Sequence, residues 1–345
     1  MKGWCAAVAA AGAAGWLALC AAAFVVAEAK GGTLACAGNA TVHEFAASGN
    51  GEWAVVVLGE VAGGFPYLRE VVARARRWSP AAFVLVGDAA IKGDARHLAL
   101  ATRELERCVA DARVFAVPGS RESRSNLEGA QAFLDAFGAR TFDFRIGGTR
   151  FLGVDNTTGT PEADALAMLE EKLAEADAVG DEVIVCAYRD PALTGHDGGH
   201  TLAAILREYR VEYVFTGEGG KSSLETRDGT TFVGAPPSGQ RTVETDQTPI
   251  SFLVLRHAEG KTHVALERFY RKNVTELEGA FLHLALAHVR PLARARPVPF
   301  VVVLAGCATY LVVWLARMRR GLTPKPAGPS LRTGGSHSEG RSSGG

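Results

Sequence analysis

Seven side chains able to act on a polar or charged group recur at one kind of place in this sequence, directly after a short apolar run. Glu60 follows Trp53–Gly59, and Asp88 closes Phe83-Val84-Leu85-Val86-Gly87. Ser120, Arg121 and Glu122 come after Pro118-Gly119, Arg189 stands in Ala187-Tyr188-Arg189-Asp190-Pro191, and Glu218 lies in Thr216-Gly217-Glu218-Gly219-Gly220. Short apolar runs bounded by turn residues read as buried parallel strands, and open α/β sheets place ligands just past the carboxyl ends of their strands. Carboxylates gathered there ligate cations or move protons, while guanidiniums pair with the carboxylates or grip an anion. His196-Asp197-Gly198-Gly199-His200 adds two imidazoles beside the Arg189 tip. It reads as a glycine-rich loop with solvated histidines, and also as the source of relocated metal ligands.

The elements that position these tips follow from periodicity. Leu68, Val71, Val72 and Ala75 recur at helical spacing between the runs ending at Leu58 and Val86, which makes one βαβ unit. Helices over 95–110 and 126–137 flank a strand over 113–117. Gly147-Gly148, between 141–146 and 150–154, predicts a hairpin. Pro161 opens a helix whose Leu166, Leu169 and Leu173 share a face. Strand 182–187, helix 201–209 and strand 212–215 follow, then short strands near 222–226, 231–233, 251–256 and 263–268 that read as a β-meander. The order predicts an α/β fold of four layers, α/β/β/α, with two mixed sheets face to face and helices outside.

Residues 3–27 are mostly Ala with Leu, Val and Trp and end in Ala27-Glu28-Ala29, so residues 1–29 read as a cleaved signal peptide or a retained signal anchor. Residues 30–51 form a stalk or irregular lead-in, 52–270 the globular domain and 271–297 a helical basic neck. Val298–Ala316 is uncharged and long enough for the ~20 residues that span a bilayer, and Arg317, Arg319, Arg320 and Lys325 favour a cytoplasmic end for it. The tail 317–345 is Gly, Ser, Pro and Arg, too poor in apolar residues to fold. The domain is expected in the lumen of the secretory pathway or outside the cell. Asn39, Asn156 and Asn273 each begin an Asn-x-Thr sequon, and Asn156 in Asp155-Asn156-Thr157-Thr158 is expected on an exposed loop.

With 37 basic and 37 acidic residues the chain offers no electrostatic case for nucleic acid. Cys5, Cys20 and Cys307 fall in the apolar end segments, which leaves Cys36, Cys108 and Cys186 for the domain. Three thiols allow at most one bridge and equally suit free, buried residues. No CxxC or Cys/His metal spacing occurs.

Taken in order, the tips resemble the calcineurin-like metallophosphoesterases, most closely their purple-acid-phosphatase-like branch, over about residues 52–268. In that family the tips carry Asp-x-His or Asp-x-Gly, Gly-Asp, Gly-Asn-His-Asp/Glu, His-x-Pro and Gly-His-x-His, which together hold two metal ions that clamp a phosphate and activate a water. Here Glu60 stands for the first Asp, Ala62 for the ligand two residues on, and Asp88 alone is unchanged. Ile91 replaces the iron-binding Tyr of the purple branch. Ser120 and Arg121 replace Asn-His, with the acid kept as Glu122. Arg189 takes the place of the His of His-x-Pro, and Glu218 and Gly220 those of the last two His.

A guanidinium neither deprotonates nor ligates in a protein, so Arg121 and Arg189 exclude metal from their positions and supply positive charge instead. Against Glu60, Asp88 and Glu218 they nearly balance the pocket as an ion-pair cluster. The apolar end segments, the resemblance and the departures from it together suggest a membrane protein with the phosphoesterase fold that is catalytically degenerate and acts by binding, with no cofactor. Its partners are a phosphate-like ligand or a protein, besides the membrane. The alternative is an active metallophosphoesterase that holds divalent metal on Glu60, Asp88, His196 and His200.

Overall fold

The apolar runs form strands because β-branched and aromatic residues fill a surface covered on both sides. In a computed structural model, described for residues 35–41, 43–62, 65–109, 112–191, 197–220, 222–239 and 249–269, every residue of Trp53–Gly59 and of Ala82–Val86 is buried. The described strands are β1 (His43–Phe45), β2 (Trp53–Gly59), β3 (Ala82–Val86), β4 (Arg113–Val117), β5 (Phe142–Ile146), β6 (Thr149–Val154), β7 (Glu182–Ala187), β8 (Val211–Thr216), β9 (Ser223–Arg227), β10 (Thr230–Gly234), β11 (Ile250–Ala258) and β12 (Lys261–Phe269). The described α-helices are α1 (Phe65–Ala75), α2 (Ala95–Val109), α3 (Leu127–Phe137), α4 (Ala163–Val179) and α5 (Asp197–Glu208), and a 3₁₀ turn (Arg76–Trp78) follows α1.

Two mixed sheets result, one ordered β12-β11-β2-β3-β4 and the other β1-β5-β6-β7-β8-β10-β9. Strands β2, β3 and β4 run parallel, as do β6, β7, β8 and β10. Their carboxyl ends, and with them the polar tips, therefore lie at one end of each sheet. The four-layer α/β arrangement expected from the sequence is the one observed.

Alternation sorts the side chains between layers. Trp53, Val55, Val57, Val84 and Phe115 of one sheet meet Phe144, Phe151, Ile184 and Phe215 of the other. Phe115 stacks on Phe144 at 4.1 Å between ring centroids, and Phe144 on Phe151 at 4.5 Å. On the outer face of the larger sheet, Leu169, Leu173 and Ala176 of α4 and Leu202, Ile205 and Leu206 of α5 pack on Leu152, Val183, Val185 and Val214.

Three details differ from the sequence expectation. The described part of 35–51 is an irregular lead-in that carries one strand rather than a stalk: β1 pairs with β5, and Ala37 bridges Val114; a three-residue strand is too short to leave a period. The late strands are not one meander, because β9–β10 extends the large sheet while β11–β12 joins the small one. The glycine-rich stretch near His200 is not a loop: α5 begins at Asp197, so Gly198 and Gly199 lie within its first turn. The apolar runs near 3–27 and 298–316, the neck, the tail, His196 and Asn273 lie outside the described residues, as does the side chain of His200. Among the described residues no helix is long and apolar enough to cross a membrane.

Candidate functional site

The tips converge because glycine lets their backbones touch. An added Cβ at Gly87, whose φ is +83°, would run into the Tyr188 ring, and one at Gly119 into Asp88. Asp88 itself has φ 44°, with Glu60 at 29° and Ala62 at 39°. Left-handed backbone at non-glycine residues costs about 1–3 kcal/mol each and persists only where surroundings hold it. Here the Ala62 N–H donates to the Asp88 carbonyl at 2.9 Å and so joins two of the strained tips.

Asp88 is 5% exposed, and three donors fill its carboxylate. The Ser120 hydroxyl donates at 3.1 Å to Oδ1, the Arg121 backbone N–H at 3.0 Å to Oδ1, and the Tyr188 hydroxyl at 3.1 Å to Oδ2. Tyr188 is a site residue that the sequence reading passed over. Its signal was a phenol at a buried strand end, where the hydroxyl must find a partner. Burial, ahead of the Asp88 charge, pushes its hydroxyl up to about 12.

Glu122 is fully buried and ties two tips from within. The Ala90 N–H donates to one carboxylate oxygen at 3.2 Å and the Gly119 N–H to the other at 3.1 Å. Burial and then the Asp88 charge raise its carboxyl to about 7, against the pull of those two N–H groups. Glu60 lies 3.3 Å from Arg121 Nη2. Burial raises its carboxyl and the nearby Asp88 charge adds to this, while Arg121 opposes them. Arg121 also donates Nη1–H to the Ala90 carbonyl at 3.4 Å.

Arg189 and Glu218 form a second and looser pair, Nε to Oε1 at 3.7 Å. That Nε is buried with no hydrogen-bond partner among the described residues. All seven predicted side chains thus stand at the tips, in two pairings: Glu60 with Arg121 beside the Asp88–Ser120–Glu122 group, and Arg189 with Glu218. Tyr188 links them, since it bonds Asp88 and the Gly217 and Glu218 N–H groups donate to its carbonyl.

Two sequon asparagines turn inward, which corrects the expectation that Asn156 lies on an exposed loop. Asn156 is fully buried rather than on an exposed loop. Its Nδ2 donates to the Arg189 carbonyl at 2.7 Å, and its Oδ1 accepts the Arg189 N–H at 2.9 Å. Asn39 is 6% exposed and its Nδ2 donates to the Ala116 and Ala139 carbonyls. In both, the nitrogen that would carry a glycan is committed inside the fold. Beside Asn156, Asp155 is buried and takes an ion pair from Arg140 Nε at 2.7 Å, and Arg140 Nη2–H reaches the Glu122 carbonyl at 2.8 Å.

A metal ion of the kind such tips hold needs inward carboxylates and neutral imidazoles. Among the described residues no group of three or more His, Cys, Asp and Glu side chains is arranged to hold one. The described donor set at the tips does not fit two ions, because guanidiniums stand at two positions and Asp88 already accepts from three protein donors.

The layer order and the placement of polar tips define the calcineurin-like metallophosphoesterase fold. Among solved structures, a dimetal phosphatase from Danio rerio matches with a TM-score of 0.50 at 15% identity, over 64% of this chain and 98% of that one. A purple acid phosphatase from yellow lupin follows with a TM-score of 0.49 at 13% identity, over 64% and 51%. GAP50, the anchor in the inner membrane complex of Plasmodium, has a TM-score of 0.45 at 14% identity, over 68% and 95%. No family model matches the sequence, and no curated protein does.

Proposed function

We propose that this chain is a membrane-anchored protein of phosphoesterase fold that has lost two-metal hydrolysis and acts by binding. The observation that carries the reading is the state of Asp88, whose carboxylate accepts from Ser120, the Arg121 N–H and Tyr188. A bridging metal ligand must offer those lone pairs to two ions. With Arg121 held on Glu60 the tips are neutralised from within. The anchor is the uncharged run 298–316 with basic residues after it, which puts the domain in the lumen or outside the cell.

Metal content and turnover test this directly. The purified chain is expected to carry well under one metal ion and to leave p-nitrophenyl phosphate and its diester intact with Mg²⁺, Mn²⁺ or Zn²⁺. Two tightly bound ions per chain, with turnover lost in Asp88→Asn, would overturn the reading and favour relocated ligands at His196 and His200. The anchor has its own test: in sealed microsomes, added protease removes a tag placed after Gly345 and spares the domain, and a protected tag reverses the orientation.

A phosphate-like group is the ligand best matched to the tips, because Arg189 Nε has no hydrogen bond among the described residues and guanidinium forks suit such anions. Calorimetry with inorganic phosphate is expected to give heat that Arg189→Ala removes. Equal heat from both proteins would eliminate this ligand.

A further inference from the structure

Six large apolar side chains are exposed among the described residues, and they are not spread evenly. The two most exposed, Leu127 at 83% and Leu224 at 71%, stand at the tip end of the sandwich together with Ile91 at 46%. Ile91 lies in the loop that follows β3, and Leu127 opens α3 just past the tip of β4. The two loops touch: an added Cβ at Gly93 would run into the Arg121 carbonyl and come within 3.1 Å of Asn126 Nδ2. Leu224 is the second residue of β9, whose first residue pairs with Gly234, itself level with Thr216 at the tip of β8. Val179, 65% exposed where α4 ends before β7, is at the base, the end opposite the tips. Single exposed leucines are ordinary on a protein surface, while exposed apolar side chains gathered at one place mark a contact. Nor does α3 need Leu127 for its start, since Asn126 caps the helix by accepting the Gly129 N–H.

The chain also leaves the domain at this end. Strand β12 is antiparallel to β11, which is antiparallel to β2, so β12 runs toward the tips. Its last residue, Phe269, pairs with Ile250, beyond the Leu253–Val57 pair and level with the tip of β2. Residues 271–297 and the uncharged run 298–316 follow. At about 3.3 Å per extended residue, the neck is long enough to let this end lie on a bilayer. Charge fits the same occupant. Exposed Lys92 and half-buried Arg189 stand with exposed Glu128 and Glu218, so the face is mixed rather than polybasic. A zwitterionic headgroup carries both signs, and its phosphate suits the unspent Nε of Arg189.

We infer that the tip end is the face this domain turns to its own membrane, with Ile91, Leu127 and Leu224 entering the lipid interface and Arg189 meeting headgroup phosphate. Apolar side chains strengthen such surface binding through the area they bury at the acyl boundary. The inference rests on the anchor reading above and names the lipid bilayer as the source of the phosphate-like group.

The full-length protein in phosphatidylcholine vesicles tests this, with lipids that carry a doxyl quencher just below the headgroup. An environment-sensitive fluorophore is attached to Glu128→Cys, beside Leu127, or to Asp177→Cys, beside Val179, and unsubstituted protein labelled in parallel gives the background. The label at 128 is expected to lose most of its emission to doxyl lipid and the label at 177 none. Ile91→Glu combined with Leu127→Glu should restore emission at 128 without moving the melting temperature, since exposed positions tolerate such changes. Alkaline carbonate extraction reports on the anchor separately: a chain stripped from the vesicles overturns the anchor and this inference together. An anchored chain whose label at 128 keeps its emission, or whose two labels dim alike, overturns the inference alone. So does dimming that the double variant leaves unchanged, and so does emission at 128 that answers to protein concentration and not to doxyl lipid, which would assign these residues to a contact between copies.

Discussion

At the tips, Asp88 spends both carboxylate oxygens on Ser120, Tyr188 and the Arg121 N–H, and Glu122 spends both of its own on backbone N–H groups. At the base, Glu182 takes two hydroxyl protons on a single oxygen, and His257 turns Nδ1 to Thr262 while Nε2 has no described donor. Both ends use acids, hydroxyls and aromatics, yet Asp88 and Glu122 are closed on protein donors, while the Glu182 and His257 side chains at the base stay partly open to solvent, as Arg189 and Glu218 do at the edge of the tips. Residue type alone therefore does not mark a working site; what distinguishes one is hydrogen-bonding capacity left unspent once the fold is complete. A closed cluster should register its deletions in stability, and an open one in binding.

The largest effect expected on that contrast is at Asp88. Asp88→Ala leaves a hydroxyl, a phenol and a backbone N–H buried without their acceptor, at about 1–3 kcal/mol for each such group. We expect a loss of about 3–5 kcal/mol in denaturant unfolding. A loss below about 1 kcal/mol would mean that the tips are open and would remove the contrast.

Glu122 gives the next effect, through pH. Its folded carboxyl, raised by burial to about 7, lies above its ordinary value of 4.5. The folded state thus binds the proton more tightly than the unfolded chain does. The stabilisation is complete below about 4.5 and is lost as pH rises through about 7, for at most about 3 kcal/mol. Glu60, raised in the same direction, adds to the slope. Melting temperature should fall between pH 5 and pH 8, and Glu122→Gln should flatten most of that fall; an unchanged slope in this variant would refute it.

Asn156→Ala removes both bonds to the Arg189 backbone and is expected to cost about 2 kcal/mol. Glycosidase treatment of protein from a glycosylating host should shift wild type and Asn156→Gln by the same mass. A smaller shift in the variant would show that Asn156 carries a glycan. Smallest is Arg121→Ala, about 0.5–1 kcal/mol, since the pair with Glu60 is 3.3 Å long and partly solvated.

How far each feature was legible depends on the range of the force behind it. Runs such as Phe83–Val86, the Gly147-Gly148 turn and the Leu169/Leu173 stripe depend on neighbours within a few residues, so periodicity revealed them, and with them both sheets and the seven tip residues. Tyr188 and Asp88 are a hundred positions apart, Asn39 and Ala116 seventy-seven, and Asn156 and Arg189 thirty-three. No local pattern records such partners. Asn156 thus had the look of a loop sequon, although its amide is a clamp on the next strand tip.

The sequence by itself determined the order of elements, the alternation that sorts side chains between the sheets, and the standing of Arg121 and Arg189 just after apolar runs. Those are properties of residue type and spacing, and no folding changes them. Tertiary structure alone decided which of Asp88's neighbours would satisfy it, that Asn39 and Asn156 turn inward, and that Glu182, Thr262 and His257 meet at the base from strands eighty residues apart. Hydrogen bonds are directional and short, so they exist only once packing has fixed both partners to within a fraction of an ångström.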